Sequence, residues 1–156
     1  MTTIPAHSVH LEDEAATLAF GARLAAIVQP GLYIALHGEL GAGKTTLARG
    51  LLRGLGYDGR VKSPSYALVE VYKLSRLDLY HFDFYRFEDP HEMLDAGLDE
   101  AFNGTAVCIV EWPEKAREFL PAADLDISLT LADGGRAARI AAGTERGTRC
   151  LQDLVR

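Results

Sequence analysis

The stretch HGELGAGKTTLARG, His37 to Gly50, constrains this chain more than any other. Gly38 to Thr45 fits the pattern G-x-x-x-x-G-K-[ST] in full, and it sits between a short apolar run (LYIAL, Leu32 to Leu36) and a run with helical spacing. Each position has a physical reason. The glycines let the backbone curl so that successive N–H groups point inward at phosphate oxygens. The helix that follows brings its unpaired N–H groups and positive dipole end to the same place. Lys44 reaches the β- and γ-phosphates of a nucleotide, and the Thr45 hydroxyl is a ligand for Mg²⁺. A chain built around this loop needs a buried strand before it and a helix after it. That predicts an α/β fold.

The remaining pattern extends this reading. LEDEAATLAFGARLAAIV carries apolar residues at helical spacing from Leu11, with Glu12, Asp13 and Glu14 in the first turn and Pro30-Gly31 as its stop. YALVEVYKL and LDLYHFDFYRF read as a strand hairpin, in which Leu77, Leu79, His81, Asp83 and Tyr85 share one face. DPHEMLDAGLDEAF reads as a helix, AVCIVEW as a buried strand and PEKAREFL as a short helix opened by Pro113. LDISLTLADGGRAARIAA reads as a second hairpin turning at DGG, and the tail as a last helix. Alternating strands and helices followed by hairpins predict a three-layer P-loop NTPase-like domain. Its sheet mixes parallel and antiparallel strands, and one domain spans residues 1–156.

Composition narrows the function classes. With 156 residues, 48% hydrophobic and 24% charged, the chain has enough apolar material for one core. Its net charge of −6 argues against wide direct contact with a nucleic-acid backbone. No apolar run approaches the ~20 residues of a membrane span, and the N-terminus lacks the basic start and apolar stretch of a secretory signal. The expectation is a cytoplasmic protein that does not enter membranes. Cys108 lies in a strand-like run and Cys150 in the tail, without metal-ligand spacing.

A nucleotide site needs a second acid for its metal. VCIVE offers Glu111 at the end of four apolar residues. Asp83, inside the aromatic stretch HFDFYR, is the third candidate, because an aspartate there is costly unless paired or used. Which of the two acids orients an attacking water stays open. His81 reads as structural. Ser63-Pro64-Ser65 stands where P-loop proteins carry a segment that senses the γ-phosphate. The guanine-reading motif N-K-x-D is missing from the sequence, which favours adenine or loose base selection.

Four stretches, GELGAGKTT, VKSPSYALVEVY, YHFDFYR and IVEWPEK, stand in this order and spacing between about Leu11 and Ile140. Together they closely resemble the bacterial TsaE family, the small ATPases of tRNA threonylcarbamoyladenosine (t6A) biosynthesis. The resemblance implies ATP and Mg²⁺ as ligands and the TsaB–TsaD pair as partners. In that pair TsaD transfers threonylcarbamoyl to adenosine 37 of tRNAs reading ANN codons. The ATPase would meet tRNA only through the complex and reset it between turnovers, with weak activity alone. By position, the resemblance makes Leu40, Gly41, Ala42, Gly43, Lys44 and Thr45 the phosphate loop, extended by Thr46. Thr45 and Glu111 become metal ligands, and Asp83 an essential acid placing water. Ser63, Pro64 and Ser65 become the switch, Trp112 the aromatic after the metal acid, and Glu14 a residue near the nucleotide. The family usually has threonine where this chain has Ser65; the hydroxyl is kept and a methyl is lost.

Two other function classes share the loop. A small-molecule kinase would carry an arginine-rich lid, whereas Arg76 and Arg86 lie in or beside a strand hairpin. A nucleotide-dependent binding module would capture partners without turnover. Lys44→Ala tests the loop itself. Losing a charge-assisted phosphate contact should weaken ATP binding by roughly 10- to 100-fold and abolish phosphate release. Retained release, measured with inorganic phosphate as the readout, would contradict the assignment.

Overall fold

The computed structural model describes residues 5–39, 41–64 and 67–156. Leu40 and Ser65, both expected at the site, lie outside the described residues. Seven strands form one sheet: β1 (His7–Leu11), β2 (Tyr33–His37), β3 (Val69–Lys73), β4 (Asp78–Asp83), β5 (Val107–Glu111), β6 (Leu125–Ala132) and β7 (Gly135–Ala142). Their order is β1-β7-β6-β2-β5-β4-β3. The central strands β6, β2, β5 and β4 run parallel, and the remaining pairings are antiparallel. The α-helices are α1 (Glu14–Ala25), α2 (Lys44–Gly54), α3 (His91–Asp95) and α4 (Glu145–Leu154).

Alternation along the central strands splits the core into two. Ile34, Leu36, Leu79, Ile109 and Ile127 pack with Phe20 and Leu24 of α1, Leu47 and Leu51 of α2, and Leu151 of α4. Tyr33, Ala35, Phe82, Cys108 and Val110 pack on the other face with Phe84 and Phe87 of the chain after β4 and with Met93 of α3. The architecture is the expected three-layer α/β fold with a mixed sheet. Among the described residues, no helix is long and apolar enough to cross a membrane.

Four local expectations need correction. Leu11 does not open the first helix; it ends β1, paired with Arg136 of β7, and the helix starts after Asp13, whose side chain accepts from the Ala16 N–H. Pairing across the sheet outweighs the helical spacing here. The stretch after Pro90 is not one helix: α3 stops, Gly97 takes a left-handed conformation, and a separate 3₁₀ turn covers Leu98–Ala101. The segment opened by Pro113 is also 3₁₀, kinked at Ala116. Finally, β4 ends at Asp83 rather than running on to Phe87. The Asp83 carboxylate accepts the Tyr85 N–H at 2.9 Å and turns the chain out of the sheet.

Helix α2 is held over the sheet by backbone-close packing on α1. A methyl group on Gly50 would run into the carbonyl oxygen of Leu18, and one on Gly21 would press on the Leu47 carbonyl. Gly-to-Ala in an open helix normally gains about 0.5–1 kcal/mol. Here the clash reverses the sign, and Gly50→Ala should cost about 1–3 kcal/mol. That corresponds to a drop of roughly 2–12 °C in a thermal melt. An unchanged or higher melting temperature would show that the helices can separate freely.

Candidate active site

The site forms where β2, β4 and β5 end, at the carboxyl edge of the parallel strands, which is where open α/β sheets place their ligand crevices. After β2 the chain enters the glycine-rich loop. Gly41 and Gly43 have φ of +82° and +107°, a region that favours glycine, and Gly43 leads directly into α2. Among the described residues no side chain caps α2, so its first N–H groups are left for whatever lies in front of them. The residues that follow, Lys44, Thr45 and Thr46, line a cavity of about 350 Å³ together with Ser63, Asp83 and Glu111.

Lys44 is 5% exposed, and no carboxylate among the described residues lies within ion-pair distance of it. Its Nζ folds back to donate to the Gly38 carbonyl and sits 4.5 Å from the centre of the Trp112 ring. A buried ammonium is costly without a counter-charge. Backbone carbonyl and aromatic face offset part of that cost. Trp112 itself has φ +58°, unusual for a bulky residue, and its Nε1 finds no hydrogen-bond partner among the described residues.

Opposite Lys44 stand the two acids. The β4–β5 register pairs Asp83 directly with Glu111, and both side chains face the α2 layer. They are 4% and 3% exposed. Burial pushes the Asp83 carboxyl above the usual carboxylate range, and the nearby Glu111 pushes it the same way. The Tyr85 N–H, and Ser63 Oγ at 3.3 Å, pull against that rise. Glu111 Oε2 stands 2.6 Å from Nε2 of the fully buried His81.

The fold therefore brings together Gly41, Gly43, Lys44, Thr45, Thr46, Ser63, Asp83 and Glu111. Ala42 is buried beneath the loop, and Pro64 is buried beside Ser63. Glu14 is not among the cavity residues. It lies in a neighbouring cavity that shares Gly41, Gly43 and Thr46, and it pairs with Arg49 at 3.7 Å. Two contributors were missed in the sequence. His81 was legible only as a strand residue on the Asp83 face. Arg136, on β7, donates Nε to the Ala42 carbonyl at 3.1 Å and Nη2 to the Gly41 carbonyl at 3.2 Å, bracing the loop from outside. No local pattern links an arginine in the last hairpin to a loop 94 residues earlier.

The residues present fit a nucleotide and a divalent metal. Among the described residues, the loop offers uncapped helix N–H groups and a buried cation without a carboxylate partner, and the facing wall offers one hydroxyl and two carboxylates of the oxygen-donor type that Mg²⁺ takes.

The family model described as Threonylcarbamoyl adenosine biosynthesis protein TsaE matches residues 11–139. The tRNA threonylcarbamoyladenosine biosynthesis protein TsaE of Haemophilus influenzae is 41% identical over 143 residues, covering 88% of this chain and 90% of that protein. Its namesake in Bacillus subtilis is 44% identical over 116 residues, covering 74% and 72%. The crystal structure of Bacillus subtilis YdiB superposes with a TM-score of 0.85 at 31% identity, over 99% of this chain and 97% of that one. From the ordered motifs, the shared fold and these matches, the chain belongs to the TsaE family of threonylcarbamoyladenosine biosynthesis proteins.

Proposed function

We propose that this chain is a Mg²⁺-dependent ATP-binding and ATP-hydrolysing subunit of the assembly that installs threonylcarbamoyl on adenosine 37 of tRNAs reading ANN codons. It acts in the cytoplasm as one domain, binds at the TsaB–TsaD pair and supports their turnover without performing the transfer. The observation that carries the ATPase reading is Lys44, a buried cation with no carboxylate partner among the described residues, at the uncapped start of α2 and across a cavity from two adjacent strand-end carboxylates. The net negative charge supports a protein that meets tRNA through partners rather than directly.

In this reading Lys44 leaves the Gly38 carbonyl to contact the β- and γ-phosphates, while the N–H groups opening α2 bind the remaining phosphate oxygens. Thr45 and Glu111 would hold the metal, and bound there it would supply positive charge toward the phosphates. Asp83 takes the water. Its raised carboxyl brings its basicity toward that of an effective general base, and the Tyr85 N–H fixes its orientation. Ser63 stands beside Asp83, placed to report on the γ-phosphate.

The decisive assay is phosphate release from ATP by the full chain, with and without TsaB–TsaD, alongside Lys44→Ala. Release should be slow alone, rise with the partners, and vanish in the variant. Flat release on adding the partners would sink the partner-driven form. A phosphorylated small molecule as product would favour a kinase.

Asp83 allows a second check. Its folded-state proton affinity is raised, so its contribution to stability is present below the unfolded pKa and is lost as pH rises through the folded value. Once ionised, the carboxylate is a net burden on the fold. Asp83→Asn should abolish phosphate release yet raise the melting temperature at pH 7, by about 0.5–2 kcal/mol or roughly 1–8 °C. A lower melting temperature would contradict the electrostatic account.

A further inference from the structure

His81 is fully buried, and its ring makes a single hydrogen bond among the described residues, Nε2 to Glu111 Oε2 at 2.6 Å. Its Nδ1 has no partner there. The register explains the pairing. Asp83 faces Glu111 directly, so His81, two residues earlier on the same face of β4, lies diagonal to Glu111 and one step deeper in the sheet. An ionised carboxylate only accepts hydrogen bonds, which puts the ring proton on Nε2 and leaves Nδ1 as a bare lone pair. The reverse arrangement would need a protonated Glu111 and would strand a buried N–H at Nδ1. Buried orphan donors are the rarer and costlier defect.

We infer that His81 is a positioning residue: through its Nε2–H···Oε2 bond it locks the Glu111 carboxylate so that one oxygen, Oε1, is offered to a divalent cation in the cavity. This rests on the reading above that Glu111 holds the metal. Two consequences make the bond matter. With Oε2 engaged, Glu111 meets the cavity it lines through its other oxygen. With the ring packed and dry, the carboxylate has little freedom to rotate, so the metal does not meet that ordering cost on binding. Partners of ligating groups commonly set metal affinity in this way.

The test uses the full chain, with ADP as the nucleotide and Mn²⁺ as the metal probe. In the metal-free wild type, ¹⁵N–¹H correlation of the histidine rings should show His81 protonated at Nε2 and bare at Nδ1. A proton on Nδ1 with Nε2 bare overturns the inference without any variant. Mn²⁺ affinity of the ADP-loaded protein is then read by electron paramagnetic resonance. His81→Leu should weaken it about 10- to 100-fold, while His81→Gln, which returns an N–H near the Nε2 position, should stay within about threefold of wild type. ADP affinity in EDTA should hold in both variants. Wild-type Mn²⁺ affinity in His81→Leu overturns the inference, as does a His81→Gln as weak as His81→Leu. If His81→Leu does not fold, His81→Met, apolar and of similar length, takes its place: a loss of about tenfold or more beside a near-wild-type His81→Gln supports the donor role, and wild-type affinity overturns it. A wild type that binds ADP but no Mn²⁺ removes the metal reading of Glu111, and this inference with it, before any variant is made.

Discussion

The pairing of β4 with β5 in the register that sets Asp83 against Glu111 is the constraint on which the site depends. Strand side chains alternate, so a slip of β4 by one residue against β5 would turn Asp83 to the opposite face, away from Glu111, and bring an aromatic neighbour toward the loop. What prevents the slip is the packing on both faces. Phe82 and Val110 are buried in the α3 layer, and Leu79 and Ile109 in the α2 layer. Two apolar layers thus fix the position of two carboxylates that neither layer would accept on its own.

Charge at the site is arranged to be incomplete. A buried lysine has a carbonyl and an indole face as its neighbours, while two carboxylates stand side by side across the cavity. Each half is uncomfortable without something between them. In the proposed function the two halves would be completed by an anion near Lys44 and a cation near Glu111. The same unevenness gives the left-handed Trp112 a role: its backbone turns the chain straight after Glu111 and brings the ring under the Lys44 ammonium.

Much of this was legible in the sequence because it is local. The loop from Gly38 to Thr45 announces itself, the four apolar residues before Glu111 mark a buried strand end, and the DGG turn marks its hairpin. The failures share a cause. β1 has only Val9 and Leu11 to signal a strand, and it exists because β7, far along the chain, pairs with it. The end of β4 is set by the Asp83 side chain bonding its own backbone, which alternation does not reveal. His81 looked like an ordinary strand histidine, since its partner comes from another strand. Its meaning depends on register, and register is a property of the assembled sheet.

Arg136 carries a consequence for the order in which the protein is made. The carbonyls of Gly41 and Ala42 are braced by a side chain from β7, and β2 takes one of its two neighbours from β6. At ribosomal speeds of about 5–20 residues per second, the arginine follows the loop by roughly 5–20 s. Through that interval a nascent chain carries the loop sequence without its brace, and for most of it β2 lacks both flanking strands, β5 and β6. The contacts that brace the binding loop from outside are therefore complete only once the second hairpin has been made.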